Sequence, residues 1–467
     1  MWDHVIRGGT IVTATEEAYE ADVYIKDGKI SAISIERLPG KVTEEIDARG
    51  CCVLPGLIDI HIHSRDPGAS HKEDFYHSTQ AAAIGGITTV FEMPNTNPPI
   101  NNVENFHKQV DNLEQKAHVD FGVWAICLGR LNSEDLHPLN KAGVIGYKFF
   151  WGYAVNSKTF QLVYNANEKN DEVIPPFKDG EVYEIFESVS KTGKVLAIHA
   201  ESNDIIQYLT QRYESSDHND YNALLQTRSN LAEEITIQTG ISFAKKTGVR
   251  LHILHMSTEE GVNLVKAAQK EGYNITSETC PHYLFLNNED YNKIGSAMKV
   301  YPLVKYKKDQ EKLWKGLEEG VISIVCSDHA PHTEEEKSGD LWSIPAGMCG
   351  VETLTSLMLD AVNKNRLTLQ DLVAILSENP AKQFGIYPRK GSLLPGTDAD
   401  ITIVDLNKNS VIKKENLHSK SKITAFDGFE LKGTPVATIV RGQMIMKDGK
   451  IVSKPTGKLI KPSNDNS

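Results

Sequence analysis

Five short apolar runs, widely separated along the chain, each carry or end in a side chain able to ligate a cation. They are Gly56-Leu-Ile-Asp-Ile-His-Ile-His63, Ile145-Gly-Tyr-Lys-Phe-Phe150, Val195-Leu-Ala-Ile-His199, Leu251-His-Ile-Leu-His255 and Ile322-Ser-Ile-Val-Cys-Ser-Asp328. His61 and His63 are two residues apart, which on a strand puts both imidazoles on one face. A single strand ending in histidine constrains little. Five in chain order describe strand ends converging on a common rim, which is how a parallel barrel assembles a metal site from distant residues.

Neutral imidazole and carboxylate suit zinc, manganese, cobalt or iron, with zinc the first expectation. His61, His63, His199, His255 and Asp328 are the candidate ligands of that set. His252 lies an odd number of residues from His255, on the opposite strand face, and reads as structural. Lys148 is the unusual member, because an ammonium in an apolar strand is costly to bury unpaired. One resolution is a salt bridge. The other is that desolvation lowers its pKa, the neutral amine takes up carbon dioxide, and the resulting carbamate becomes an anionic ligand bridging two cations. No acidic residue stands between Val144 and Tyr153 to favour the salt bridge.

Around these runs the middle of the chain alternates β-type segments with polar, helix-forming stretches such as 230–244 and 259–270. Alternation over that length, with no Gly-rich phosphate loop after any strand, indicates a closed parallel barrel more than an open sheet. The two ends resemble each other instead. Each has alternating strand patterns around an Asp-Gly turn, Asp27-Gly28 and Asp448-Gly449, and each is too small to bury a core alone. The expected architecture is α/β: a (β/α)8 barrel over 55–385 and a flanking β-sandwich completed by residues 1–54 and 386–467. The tail from Lys461 is polar and reads as disordered.

A net charge of -12, with 62 acidic against 50 basic side chains and no Lys/Arg block, argues against nucleic acid or an anionic membrane as partner. A small molecule fits better. Six scattered cysteines without CxxC spacing, no leader-like N-terminus and no long apolar stretch point to a cytoplasmic protein.

Several passages, in the same order as in the family, resemble the cyclic amidohydrolase branch of the amidohydrolase superfamily: the allantoinases, hydantoinases and dihydropyrimidinases, and dihydroorotases. They are Pro55 to Gly68, Gly85 to Val90 with Met93-Pro-Asn-Thr96, Lys148, His199-Ala-Glu201, His255-Met-Ser257, Glu278 to Leu284, Ser327-Asp-His-Ala-Pro331 and Pro345 to Glu352. The resemblance implies the same barrel and sandwich. It also implies two divalent metals per chain, one on His61, His63 and Asp328, the other on His199 and His255, bridged by carboxylated Lys148. A hydroxide between them would attack a ring amide, and Asp328 would carry its proton to the leaving nitrogen. Tyr153 falls where hydantoinase-type enzymes place an oxyanion-stabilising tyrosine.

The specificity signals differ. Arg65 and Asn95 resemble the carboxylate-reading pair of dihydroorotases, whereas the spacing from Lys148 to Tyr153 and His199-Ala-Glu201 looks like the hydantoinase and allantoinase side. Ala346 replaces an asparagine common in hydantoinases, so contacts at Ala346 and Gly347 would come from the backbone. The chain departs from the family's Pro-Pro-Leu-Arg segment with Val300-Tyr-Pro-Leu-Val-Lys305. The expected substrate is a small cyclic ureide or amide, allantoin first, then hydantoins or dihydropyrimidines, then dihydroorotate. The competing class is a silent scaffold, but such relatives lose metal ligands and none is missing here. The resemblance also implies a homo-oligomer, commonly a tetramer.

Overall fold

The computed structural model describes residues 1–163, 172–214 and 220–463; most of the tail expected to be disordered, residues 464–467, lies outside the described residues. Among the described residues the middle of the chain forms eight parallel strands. These are β1 (Leu57–Ile62), β2 (Ile87–Glu92), β3 (Asp120–Val123), β4 (Tyr147–Phe150), β5 (Val195–His199), β6 (Arg250–Ile253), β7 (Ile275–Thr279) and β8 (Ile324–Val325). Neighbours pair in order, with Leu57 opposite Ile87, Thr89 opposite Asp120, Lys148 opposite Ala197, Ile198 opposite Ile253, Ile253 opposite Ser277 and Thr279 opposite Val325. Ile145 N–H donates to the Val123 carbonyl at 2.9 Å, joining β3 to β4. A parallel bridge between Ile62 and His329 joins the end of β8 back to β1. The ring is closed, and the middle of the chain is a (β/α)8 barrel.

The strands read as continuous apolar runs because both of their faces are covered. Every residue of β1, β2 and β5 is buried. The intervening helices bury one stripe each. In Glu259–Lys270, Thr258 caps the first turn by accepting from Gly261 N–H, acidic residues open the helix, Lys270 closes it, and Val262, Val265 and Ala268 face the barrel. The stretch expected to be helical from 230 runs through Asn230–Thr247 and stops at Gly248, whose φ of 72° is left-handed.

Both chain ends enter one nine-stranded sheet. Its junction is the antiparallel pairing of Cys52–Pro55 with Ile401–Val411, where Ile401 faces Pro55. The sheet folds over a core that includes Ile6, Val23, Ile25, Val53, Ile401 and Ile439, forming the flanking β-sandwich. Both Asp-Gly turns are tight two-residue hairpins with left-handed backbone, φ 51° and 72° at Asp27 and Gly28, 50° and 74° at Asp448 and Gly449. A buried ion network fastens this sheet to the barrel floor. Asp120, the first residue of β3, meets Lys390 Nζ at 2.6 Å and also Arg441, while Lys390 reaches Asp398 at 3.1 Å and Asp400. The opposite, C-terminal end of the barrel carries the site.

Candidate active site

β1 delivers His61 within the strand and His63 just beyond it, where His63 N–H donates to His329 O at 2.7 Å. β4 carries Lys148, β5 ends at His199, and the turns after β6 and β8 carry His255 and Asp328. All six side chains are buried and line one cavity of about 540 Å³. His61 Nε2 and His63 Nε2 lie 3.3 and 3.6 Å from Asp328 Oδ1. His199 Nδ1 lies 3.0 Å from His255 Nε2, and the His61 and His255 rings are 5.4 Å apart.

Three of the four histidines have their outward nitrogen occupied. His61 Nδ1–H donates to Glu278 Oε1 at 2.6 Å, His63 Nδ1–H to Asn95 Oδ1 at 2.8 Å, and His199 Nε2–H to Glu201 Oε2 at 3.0 Å. Each acceptor fixes a tautomer and leaves the inward nitrogen as a lone-pair donor. Burial holds His63, His199 and His255 below the ordinary imidazole pKa, so the rings are neutral. His255 Nδ1 is buried without a partner among the described residues. Inward lone pairs, one carboxylate and an orphaned ring nitrogen form a donor set that fits divalent cations.

Around this set the carboxylates respond to their neighbours. Burial pushes Glu201 up, but Arg228 at 2.5 Å and His199 outweigh it and hold it at about 2. Burial raises the Asp328 carboxyl, partly offset by His61 and Lys148. Lys148 is held down to about 8 by burial, against the pull of Glu278 and Asp328. Among the described residues its Nζ has no hydrogen bond or ion pair, and it stands 4.6 Å from the Phe150 ring centre. The backbone is strained at the same place. Arg65, Phe160, His255 and Asp328, at φ 63°, 59°, 35° and 47°, are non-glycine residues in the left-handed region, and all line this cavity.

The remaining sequence candidates occupy the cavity walls. Tyr153 lines the cavity with its ring edge-on to His199 at 5.2 Å. The turn that delivers it needs Gly152, since a Cβ there would lie 2.7 Å from the Glu201 carbonyl. Arg65 Nε donates to Pro331 O at 3.2 Å, and its Nη2 lies 3.3 Å from His332. Asn95 lines the cavity and serves His63 through its carbonyl. Ala346 O accepts from His332 Nε2 at 3.0 Å, and Gly347 N–H donates to Lys299 O at 2.9 Å. His252, read as structural, is buried between Thr276 and Glu278, at 2.8 and 3.2 Å.

Several functional groups escaped the sequence reading. Glu278 has no role that its sequence surroundings reveal, yet it orients His61 and receives His252. Glu201 stands two residues beyond His199, in the loop that leaves β5, and meets the His199 ring from there. Arg228, His332 and Tyr301 gave no signal, because they come from loops whose convergence depends on the closed barrel.

The geometry agrees with the comparisons to known proteins. A family model described as "Amidohydrolase family" matches residues 52–445. A protein named allantoinase in Rubrobacter xylanophilus is 36% identical, covering 99% of this chain and 98% of that one. A protein named dihydroorotase in Methanosphaera stadtmanae is 35% identical over 92% of this chain and 94% of its own. The solved structure of the L-hydantoinase (dihydropyrimidinase) from Arthrobacter aurescens superposes with a TM-score of 0.92 at 33% identity, over 99% of this chain and 100% of that one. Matched over most of its length by the family model, by relatives above 30% identity and by a solved structure of the same fold, the chain belongs to the amidohydrolase family, in its cyclic amidohydrolase branch.

Proposed function

We propose that the protein hydrolyses one ring amide of a neutral cyclic ureide, allantoin first. The carrying observation is the convergence on a single cavity of four imidazoles, Asp328 and Lys148, whose Nζ has no hydrogen bond or ion pair among the described residues. His61, His63 and Asp328 would hold one divalent cation and His199 and His255 a second, with Lys148, as its carbamate, completing the donor set. Cations so held supply Lewis acidity, lowering the pKa of water and polarising the amide carbonyl. Asp328 accepts the proton of the attacking water and returns it to the leaving nitrogen. Tyr153 donates to the oxygen that becomes negative as the carbonyl carbon turns tetrahedral.

Allantoin is supported by the relative named allantoinase. The second reading, a hydantoinase, is favoured by Tyr153 and by the likeness to the Arthrobacter enzyme. The test is hydrolysis of allantoin, hydantoin, dihydrouracil and dihydroorotate by metal-replete protein, side by side. Turnover dominated by allantoin is expected; dominance of hydantoin or dihydrouracil replaces the first reading by the second, and dominance of dihydroorotate overturns the neutral ring.

A further inference from the structure

The segment 300–305 places Tyr301 on the cavity wall. The guanidinium of Arg228 lies 3.4 Å from the Tyr301 ring centre and Lys299 Nζ lies 5.6 Å from it. Neither cation is free to swing away. Arg228 is bonded to Glu201 at 2.5 Å, and Lys299 donates to the carbonyls of Leu341, Trp342 and Ile344 at 2.6, 3.2 and 2.6 Å. The backbone on the far side of Tyr301 is equally fixed: Tyr283 O–H donates to Pro302 O at 2.6 Å and Tyr221 O–H to Val304 O at 3.1 Å.

A phenol held against two cations loses electron density and becomes a stronger hydrogen-bond donor. Arg228 and Lys299 can themselves only donate, so neither can accept the hydroxyl hydrogen. Position around the barrel says what faces it. Arg65, Asn95 and His332 stand in the loops after β1, β2 and β8, whereas Tyr153, Arg228 and Tyr301 stand after β4, β5 and β7. The ligand cluster thus lies in a cavity with two walls, and Tyr301 is the aromatic donor of the second.

We infer that Tyr301 is a specificity-determining residue, its hydroxyl donating to a carbonyl oxygen on the substituent of the cyclic ureide, so that rings bearing a planar ureido substituent are favoured over the bare ring. This rests on the proposed hydrolysis and adds to it which end of the substrate is read, and by which group.

The experiment is steady-state kinetics of wild type, Tyr301→Phe and Tyr301→Ala on allantoin, hydantoin and dihydroorotate, with bound metal measured in each protein. Tyr301→Phe is expected to raise KM for allantoin about tenfold, the size of one neutral hydrogen bond, while KM for hydantoin, kcat and metal content stay within about twofold. Tyr301→Ala raises it further. An equal change for allantoin and hydantoin, or none for allantoin, overturns the inference. A penalty confined to dihydroorotate overturns it too, by making a carboxylate the acceptor. A wild-type enzyme inactive on allantoin defeats the proposed substrate separately; the ratio is then taken between the substituted ring that is hydrolysed and its unsubstituted parent, and an unchanged ratio in Tyr301→Phe overturns the role of Tyr301.

Discussion

Lys148 is a side chain whose surroundings decide its chemistry. A buried amine with no ion pair among the described residues, held down to about 8, gives up its proton far more readily than an exposed lysine and can then react as a nucleophile. Lys148→Ala is therefore expected to lose most bound metal and to reduce turnover by about 10³-fold or more, as removal of a bridging ligand should. Metal analysis and kinetics check this together, and wild-type metal content in the variant contradicts the bridge. Tyr153→Phe should leave metal content intact and lower kcat by about 10²-fold, because only an oxyanion donor is lost. An unchanged kcat would return Tyr153 to packing against His199. Lys148 was legible in the sequence because a charge inside an apolar run violates the pattern around it. Glu278 was not, since a carboxylate becomes an orienting group only when its partner, His61, arrives from a strand more than two hundred residues away.

At the scale of elements, helices brace the loops that carry the candidate ligands. Glu233, on Asn230–Thr247, accepts from the Ser257 N–H at 3.0 Å, from the Ser257 hydroxyl, and from Thr258 Oγ1 at 3.0 Å, fixing the loop that follows His255. Burial raises its carboxyl to about 7 from an ordinary 4.5, with Lys305 pulling the other way. The folded state thus holds the proton more tightly than the unfolded chain. The stability this contributes is full below about 4.5 and is lost as pH rises to about 7. Glu233→Gln does not titrate. Its stability relative to wild type should therefore climb across that window, by roughly 1 kcal/mol per pH unit at most, and level off above it. Denaturant melts from pH 4.5 to 8 measure the difference; a constant gap would mean that Glu233 is ionised in the fold.

For the whole molecule, the decisive junction is the one at the barrel floor. Lys390 is buried among Asp120, Asp398 and Asp400, and it links β3 to the sheet built from both chain ends. Lys390→Met leaves buried carboxylates uncompensated and should cost about 3–5 kcal/mol of stability. The site lies at the other end of the barrel, so kcat of the folded variant should stay within about threefold. A melt within about 1 kcal/mol of wild type would show that the network is dispensable. Chelation, by contrast, should abolish activity, with recovery on adding zinc or manganese together with bicarbonate. Among the described residues no helix is long and apolar enough to cross a membrane.

The sequence by itself determined the elements and the chemistry of the ligand set. Apolar runs of strand length, the twin Asp-Gly turns and histidines at strand ends are local patterns, written by the period of the backbone and by the cost of burying charge. Only the tertiary structure decided which groups face one another. Closing the barrel brings Glu278 to His61, Asn95 to His63, and Arg228 to both Glu201 and Tyr301. Those pairs join loops and strands distant along the chain, and local propensity carries no information about a neighbour that only the closed sheet supplies.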